Sequence, residues 1–381
     1  MKVLVLGAGF GGLEVASCLS EEFGDDANVT LIDRSDGFVF GFSKLDVMFG
    51  RTSAEHVHHR YSDLAKPGVE FISATVESID PAAKSVETDA GTFEGDFLVV
   101  ALGADLHPEA TPGLAEGGCE FYTEAGAFAA RTVLEEFEGG RVVVGVLGAP
   151  FKCPPAPSET ALLVADMLDE RGLRDGSEVA LLMPFGSPIP PSPDASAALL
   201  SAFEQRGIEW HPQTRVTALD PDRKVAIFEG GEMPYDLFLA IPKHSAPQVV
   251  LDSPLAGEDG YVEVDPVTLE THFPGVYSVG DVAHTGTPKA GVFSEGQAKV
   301  VAEAIAAAKR GDDSVTGRYD GRAHCYLEFG HDEVARVDIA FTAGEKPTGS
   351  LAGPAQEIAM DKAEFGRSRI SRWFDREWSS A

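Results

Sequence analysis

A glycine-rich segment near the start of the chain constrains the fold more than any other feature. Residues 2–7 form an apolar run with β character, and residues 7–12 (Gly-Ala-Gly-Phe-Gly-Gly) open a helical pattern that continues to about Ser20. A second apolar run, residues 29–33, ends in Asp33, 21 residues after Gly12. Glycines let backbone N–H groups and a helix N-terminus approach a pyrophosphate, and the acid accepts a hydrogen bond from a ribose hydroxyl. This order therefore predicts a βαβ unit that binds a dinucleotide.

Length and charge limit the remaining possibilities. A chain of 381 residues, 44% hydrophobic and 24% charged, is long enough for two or three globular domains. Its net charge of −31 argues against nucleic acid and against broad contact with anionic lipid. The sequence has no apolar run of transmembrane length, and its first residues have the pattern of a core strand, not of a signal peptide. We expect a cytoplasmic protein.

Two downstream segments indicate which dinucleotide is bound. Residues 271–283, which contain Gly280-Asp281, resemble the second FAD motif of the two-dinucleotide-binding-domain flavoproteins. Residues 97–104 resemble the middle motif of that family, with Leu102 in place of the usual threonine. The resemblance implies an α/β fold with two Rossmann-like dinucleotide-binding domains and a small C-terminal region. The alternative is an NAD enzyme in which the Gly-Asp pair occurs by chance.

The resemblance also implies a division of the chain. FAD-binding segments are expected at 1–110 and 270–316, with a second Rossmann-like domain at 111–269 whose NAD site is degenerate. Residues 317–381 would form a C-terminal active-site and interface region. FAD is expected to be non-covalent, because residues 38–43 contain no cysteine where some sulfide dehydrogenases attach it. The residues expected to bind FAD are Gly7, Gly9, Phe10, Gly11, Gly12, Asp33, Arg34, Val76, Ala101, Gly103, Gly280, Asp281, Lys289 and Gly291.

The second Rossmann-like domain lacks the features that bind NAD(P)H. Its expected phosphate loop, residues 145–155, has no G-x-G-x-x-G and contains Pro150, Pro154 and Pro155. Proline has no N–H to donate to a phosphate. The following strand pattern, residues 179–183, ends without an acid for the ribose. We expect the fold to be kept and NAD(P)H binding to be lost.

Cys153, within that proline-rich loop, indicates a different chemistry. The loop resembles the active-site cysteine loop of sulfide:quinone oxidoreductases and of the flavoprotein subunit of flavocytochrome c sulfide dehydrogenases, and residues 322–327 resemble their second cysteine segment. This implies Cys153 and Cys325 as a redox pair, with Glu159 and Lys289 as further catalytic residues and Lys152 and Lys289 favouring thiolate. A disulfide would be attacked by sulfide, with a thiolate as the leaving group.

Several alternatives remain open at this stage. The two cysteines could be ordinary buried thiols. The protein could instead be an NAD(P)H:quinone reductase resembling type II NADH dehydrogenases, or a redox-inactive FAD-binding interaction protein. Cys18 is interpreted as core packing, and a role for Cys119 is left open. The His56, His58 and His59 spacing matches no common metal site, so we expect no metal.

The C-terminal segment has an amphipathic pattern. Its apolar and basic positions are Phe365, Ile370, Trp373, Phe374 and Trp378 against Arg367, Arg369, Arg372 and Arg376. The pattern fits peripheral contact with the inner face of a membrane. It fits equally a helix packed on the FAD domain or across a homodimer. Sulfide or polysulfide and a quinone are the implied partners, and nucleic acid is excluded.

Overall fold

A computed structural model describes residues 1–312 and 317–375 of the chain. The α-helices in these ranges are α1 (Phe10–Phe23), α2 (Ser43–Met48), α3 (Ala54–Val57), α4 (Leu114–Gly117), α5 (Glu124–Glu136), α6 (Ala156–Glu170), α7 (Pro193–Gln205), α8 (Gln248–Leu251), α9 (Gly291–Arg310) and α10 (Gln356–Phe374). Short 3₁₀ turns lie at Gly24–Asp26, Tyr61–Asp63, Pro108–Ala110, Arg174–Gly176 and Gly280–Val282.

The strands are short and follow one another in chain order. They are β1 (Val3–Leu6), β2 (Val29–Asp33), β3 (Gly37–Val39), β4 (His58–Arg60), β5 (Val69–Ser73), β6 (Val76–Asp80), β7 (Ser85–Thr88), β8 (Gly91–Glu94), β9 (Phe97–Val100), β10 (Asp105–His107), β11 (Cys119–Glu120), β12 (Gly140–Val146), β13 (Ser177–Leu182), β14 (Ile208–His211), β15 (Val216–Asp220), β16 (Val225–Phe228), β17 (Gly231–Pro234), β18 (Leu237–Ile241), β19 (Lys243–Ser245), β20 (Val262–Glu263), β21 (Val276–Ser278), β22 (Ala283–His284), β23 (Arg322–Gly330), β24 (Glu333–Ala340) and β25 (Thr348–Ala355).

Two five-stranded parallel sheets organise the molecule. The first has the order β21-β9-β1-β2-β5 and the second the order β11-β18-β12-β13-β14. β1 and residues 142–146 of β12 are buried runs without charged residues, as expected where helices cover both faces of a parallel sheet. The predicted α/β fold with two Rossmann-like units is confirmed.

The two units repeat one topology. In each, a three-stranded antiparallel sheet, β6-β7-β8 or β15-β16-β17, leads into the strand that pairs beside the first strand of the unit. The antiparallel ribbon β10-β19 connects the two units. The strand β21 joins the edge of the first sheet beside β9, and α9 packs on α1. The proposed domain boundaries near residues 110, 269 and 316 stay predictions.

The C-terminal residues form an antiparallel sheet, β23-β24-β25, and the helix α10. The apolar side chains of this helix are buried in the protein: Phe365, Ile370, Trp373 and Phe374 are each at most 6% exposed. The ring of Trp373 packs edge-on against Phe10 and Phe38 of the first unit. The first unit therefore covers this face in the structure, and peripheral contact with a membrane stays a prediction.

The basic side chains of α10 also have partners within the protein. Arg372 and the Trp373 indole donate to the fully buried carboxylate of Glu14 on α1, at 2.6 and 2.7 Å. Arg369 pairs with Glu295 of α9. Of the alternatives for this helix, the structure shows packing on the first unit. The positions Arg376 and Trp378 lie outside the described residues. Across the described residues, none of the helices combines the length and the apolar character needed to cross a membrane.

Candidate active site

The glycines of the first loop have three separate steric roles. A Cβ at Gly7, whose φ is +96°, would lie 2.4 Å from the carbonyl oxygen of Ala101, and one at Gly12 would lie 1.8 Å from the oxygen of Gly7. These two positions let the loop turn and α1 pack closely on β1. A Cβ at Gly9 would meet nothing within 4 Å. The backbone around Gly9 therefore faces open space at the N-terminus of a helix, the arrangement that binds a pyrophosphate.

Asp33 lies beside this loop at the end of β2. Its Oδ2 accepts the N–H of Ala8 at 2.7 Å, and its Oδ1 accepts the N–H of Ser35 at 2.8 Å. The neighbouring Arg34 is 68% exposed and pairs with Asp105 at 3.4 Å. Val76 begins β6 and packs against the apolar cluster that includes Leu6 and Ile32. Of Asp33, Arg34 and Val76, Asp33 is the residue that hydrogen-bonds to the glycine loop, through the N–H of Ala8.

Phe10, Gly11 and Gly291 make the close packing contacts next to the loop. The Phe10 ring packs against Phe38 and Phe40, with centroids 5.2 and 4.8 Å away. A Cβ at Gly291 would lie 2.7 Å from that ring, and one at Gly11 would lie 2.8 Å from the Val279 side chain. The side chain of Phe10 thus belongs to an aromatic cluster. Gly291 allows α9 to approach the Phe10 ring, and Gly11 allows α1 to approach Val279, which follows β21.

Asp281 provides the clearest sign of an absent polar partner. Its Oδ1 is buried and makes no hydrogen bond. Burial raises the pKa of this carboxyl, and the charges of Lys152 and Lys289 lower it. The ammonium of Lys289 donates to the main-chain oxygen of Asp281 and lies 3.4 Å from the Tyr261 ring centroid. A buried acceptor without a partner is costly unless a ligand hydroxyl supplies the hydrogen bond.

These observations fit an FAD between the two units. The open backbone at Gly9 and the acid at Asp33 suit the pyrophosphate and a ribose, and Asp281 suits a hydroxyl of the ribityl chain. Ala101 and Gly103 follow β9; Ala101 lies beside Gly7, and Gly103 has a φ of +71° with open space where a Cβ would point. Gly280 donates its N–H to Gln297 at 2.7 Å.

The corresponding loop of the second unit has a different structure. Cys153 has a φ of +49°, a conformation that only a few per cent of non-glycine residues adopt. Its N–H donates to Lys289 O at 2.8 Å, and its carbonyl accepts from Ala156 N at 2.9 Å and from the Tyr122 hydroxyl at 3.4 Å. Three contacts therefore fix an unfavourable backbone geometry at the thiol, which is a common feature of functional sites.

Cys325 and Glu159 lie near Cys153 although they are distant in sequence. Cys325 sits on β23 opposite Val337, and Glu159 lies in the first turn of α6, only 4% exposed. Desolvation by the surrounding protein raises the pKa of both thiols above its usual value, although Cys153 is solvent-exposed and Cys325 is half-buried, and the charge of Glu159 raises both further; for Cys325 the result is about 12. A negative charge on Cys325 also raises the pKa of Cys153. The structure thus brings the three predicted residues into one electrostatic group.

Burial also changes the pKa of the Glu159 carboxyl. Its Oε1 accepts the backbone N–H of Glu328 at 2.9 Å. Burial raises its pKa to about 7, opposed by the positive charge of Lys362 and reinforced by the negative charge of Glu328. A carboxyl with a pKa near 7 exchanges protons readily under neutral conditions.

An apolar cavity of about 410 Å³ opens beside the thiols. Cys325 and Lys289 line it together with aromatic and proline side chains, which include Phe151, Pro154, Pro155 and Phe293. Lys152 points elsewhere, since its ammonium donates to Ala104 O at 3.3 Å. The cavity therefore leads to Cys325 through mostly apolar surroundings.

Sequence reasoning missed several charged residues of this site. Lys44 donates to the main-chain oxygen of Tyr122, and its charge lowers the Cys153 pKa, although burial and Glu159 raise that pKa more. The Cys153 pKa is raised overall, and Lys44 is the lysine that lowers it; the expectation that Lys152 and Lys289 favour a thiolate stays a prediction. Glu328 and Lys362 were missed too. Only Glu328 had a signal, its position three residues after Cys325 on one strand.

The remaining candidates have structural surroundings. Cys18 contacts Glu14 and Arg372, and burial raises its pKa to about 12. Cys119 pairs with Leu239 in the second sheet, and burial raises its pKa to about 11. His58 pairs with Asp36 at 3.2 Å. Within residues 1–312 and 317–375, no group of three or more histidine, cysteine or acidic side chains is arranged to hold a metal ion.

The positions of the second unit at which a nicotinamide dinucleotide would be expected to bind differ from those of the first glycine loop. A Cβ at Gly145 would lie 2.3 Å from the Phe238 ring, so this glycine serves packing. The strand β13 is followed by Met183, which is fully buried. The loop before α6 ends in Pro154 and Pro155, which have no N–H groups.

The fold and site define a flavoprotein with two dinucleotide-binding units and a cysteine pair. Residues 1–311 match the family model described as pyridine nucleotide-disulphide oxidoreductase. The chain belongs to this family of oxidoreductases, and its cofactor is FAD.

Comparison with individual proteins shows how far the similarity extends along the chain. The chain is 26% identical over 377 residues to a mitochondrial sulfide:quinone oxidoreductase of Mus musculus, covering 94% of this chain and 82% of that protein. It is 41% identical to a type II NADH:quinone oxidoreductase of Staphylococcus saprophyticus, but only over 104 residues, 27% of this chain and 26% of that one. The structure of the sulfide:quinone oxidoreductase from Aquifex aeolicus superposes with a TM-score of 0.85 at 22% identity, covering 98% of this chain and 92% of that one.

Proposed function

We propose that this protein oxidises sulfide, or a related sulfur species, through Cys153 and Cys325 and passes the electrons through FAD to a quinone. The observation that carries this proposal is the grouping of both thiols with Glu159 at the loop where a nicotinamide-binding protein has its glycines. The similarity to sulfide:quinone oxidoreductases over 94% of the chain supports it.

The electrostatics of the site favour a disulfide over two thiolates. Burial and the Glu159 charge disfavour a negative charge at both Cys153 and Cys325. A disulfide between them carries no charge and avoids this penalty. Attack by HS⁻ forms a sulfur–sulfur bond to one cysteine and breaks the disulfide, so that the other leaves as a thiolate. Bound FAD supplies the acceptor for the electron pair that must leave the sulfur.

Positively charged side chains within the site oppose the repulsion between HS⁻ and the acidic protein. The chain carries a net charge of −31, which repels HS⁻ at long range. Lys44, Lys152 and Lys289 all lower the pKa of Asp281, and Lys44 also lowers that of Cys153, so these charges oppose part of the repulsion. Glu159 can take a proton from a sulfur group beside it.

A quinone site is proposed on the opposite face of β23. Side chains alternate along a strand, so His324 and Tyr326 point away from Cys325. Both rings pack on Phe365, with centroids 5.6 and 5.5 Å away, and the Arg369 guanidinium lies 3.8 Å from the Phe365 centroid. Aromatic side chains favour offset or edge contact with a planar ring such as a quinone. Sulfur chemistry and quinone reduction would then occupy separate sides of the site.

Contact with a membrane, homodimer formation and a cytoplasmic location belong to the proposal as well. A membrane contact that serves a quinone cannot use the apolar face of α10, since its side chains are buried.

Anaerobic stopped-flow mixing of the purified flavoprotein with sulfide, NADH or NADPH tests the function. Sulfide should bleach the flavin absorbance in one turnover, and both nicotinamides should do so far more slowly even at high concentration. Rapid bleaching by NADH with no response to sulfide would support the type II NADH dehydrogenase alternative. No reduction by any of the three would favour a redox-inactive FAD-binding protein.

A further inference from the structure

A buried cluster of charged side chains adjoins Glu159 and takes no part in the thiol chemistry above. Glu328 pairs with Lys362 of α10 and with Arg51 at 2.7 Å. The side chains of Glu328 and Lys362 are only 5% and 9% exposed. A buried ion pair stabilises a fold weakly at best, because desolvation offsets most of its attraction. Its position beside a catalytic carboxyl therefore calls for an explanation other than stability.

The cluster is connected to Glu159 by a hydrogen bond and by charge. The Glu328 backbone N–H donates to Glu159 Oε1 at 2.9 Å, and Cys325 lies three residues earlier on the same strand. The Lys362 ammonium stabilises the Glu159 carboxylate, whereas the Glu328 carboxylate destabilises it. Glu159 thus has two fixed charges of opposite sign behind it and the two thiols in front of it.

The groups that face Glu159 come from every element packed against it. They are Glu328 and Cys325 of β23, Cys153 of the loop before α6, Lys362 of α10, Arg51 after α2, and the Tyr122 hydroxyl. Asp46 of α2 joins the cluster through Arg51 at 3.3 Å.

A second cavity, also of about 410 Å³, opens on this cluster. It is lined by Asp46, Arg51, Glu328 and Lys362, together with Asp166 and His331. The apolar cavity lined by Cys325 shares none of these residues. Sulfur access and access to the ion cluster are therefore separate in this structure.

We propose that Glu328, Lys362 and Arg51 are positioning residues that set the proton affinity of Glu159 for its exchange with the sulfur groups. HS⁻ attack leaves a persulfide on one cysteine, and Glu159 takes the persulfide proton and becomes a neutral carboxylic acid. Loss of that proton to solvent restores the carboxylate. This inference rests on the proposed function, because the proton donor is the sulfur site.

Two substitutions should shift the titration of Glu159 in opposite directions. Lys362→Met removes a cation and should raise the Glu159 pKa, whereas Glu328→Gln removes an anion and should lower it, each by roughly 1–3 pH units. The measurement is an infrared pH titration of the protonated carboxyl band in the FAD-loaded protein without sulfide. The Glu159→Gln variant assigns the band by its loss. Lys362→Arg keeps the charge and should restore the original titration.

Matched controls come from an exposed ion pair on the same helix. Arg367→Met and Glu364→Gln remove equivalent charges from α10, where both side chains are about half exposed, and should leave the band unchanged. If a single variant does not fold, the double variant Glu328→Gln/Lys362→Met removes both charges and should titrate between the two predicted extremes. Shifts in the same direction, or none, overturn the inference. Because the titration needs no sulfide, it decides this point even if sulfide fails to reduce the flavin.

Discussion

Two loops occupy the same position in the two parallel sheets but present opposite chemistry. In the first sheet β1 lies between β9 and β2, and in the second β12 lies between β18 and β13; a loop and a helix follow each central strand. The loop after β1 exposes backbone around Gly9, whereas the loop after β12 holds Cys153 at a φ of +49° among prolines.

The difference shows how one framework serves two purposes. A helix N-terminus attracts negative charge wherever it occurs. In the first unit the open glycine backbone leaves that end accessible to a phosphate. In the second unit prolines remove N–H donors, and the first turn of α6 carries the Glu159 carboxylate. The same architecture thus binds a cofactor on one side and positions a thiol and an acid on the other.

The largest expected effect separates the roles of the two loops. Cys153→Ser or Cys325→Ser should lower the rate of sulfide-dependent flavin reduction by several orders of magnitude while FAD stays bound. The double variant should be no slower than either single one, because both thiols serve one step. Stopped-flow reduction and the ratio of flavin to protein absorbance measure the two quantities. A double variant much slower than the singles would show that the cysteines act independently.

A second effect tests the glycine loop. Gly12→Ala places a Cβ 1.8 Å from the Gly7 oxygen and should cost about 1–3 kcal/mol in free energy of unfolding, with loss of FAD. Gly9→Ala meets no protein atom within 4 Å and should weaken FAD binding without lowering the stability of the FAD-free protein. Chemical denaturation and flavin titration check the pair. Equal stability losses in both variants would contradict the separate roles of these glycines.

A third effect concerns pH. The Glu159 pKa is raised from its usual 4.5 to about 7 in the folded protein, so the folded state binds the proton more tightly than the unfolded state. This favours folding below about pH 4.5, and the advantage is lost as the pH rises through 7. Glu159→Gln should therefore gain stability relative to the native chain between pH 5 and pH 8, by up to about 3 kcal/mol. Urea unfolding at both pH values measures this, and a pH-independent difference would refute it.

The smallest effect is expected at Cys18. It lies on α1 beside Glu14 and Arg372, outside the second loop, and burial raises its pKa to about 12. Cys18→Ser should leave both flavin retention and the rate of sulfide-dependent reduction within about twofold. The same stopped-flow assay makes it the control for the two site cysteines. A large loss of activity would extend the catalytic thiols into the first unit.

Local sequence was sufficient for the parts of the protein that depend on neighbours in the chain. The glycine loop with Asp33, the Gly-Asp pair and the proline-rich cysteine loop could be identified because each is a contiguous pattern with a backbone requirement. The C-terminal helix shows the limit of such reasoning. Its pattern of Trp373, Phe374 and arginines predicted an amphipathic surface but not what covers it, and only packing on Phe10 and Glu14 answers that.

The sequence by itself determined the α/β class and the FAD motifs, and it predicted the two site cysteines. Tertiary structure decided the electrostatics of the site. The opposing charges of Lys362 and Glu328 act on Glu159 only because β23 packs against α6 and α10 packs on the sheet that contains β23. Local periodicity and motif spacing carry no information about distances between segments more than a hundred residues apart. The residues that set the proton affinity of this site therefore became visible only in the folded chain.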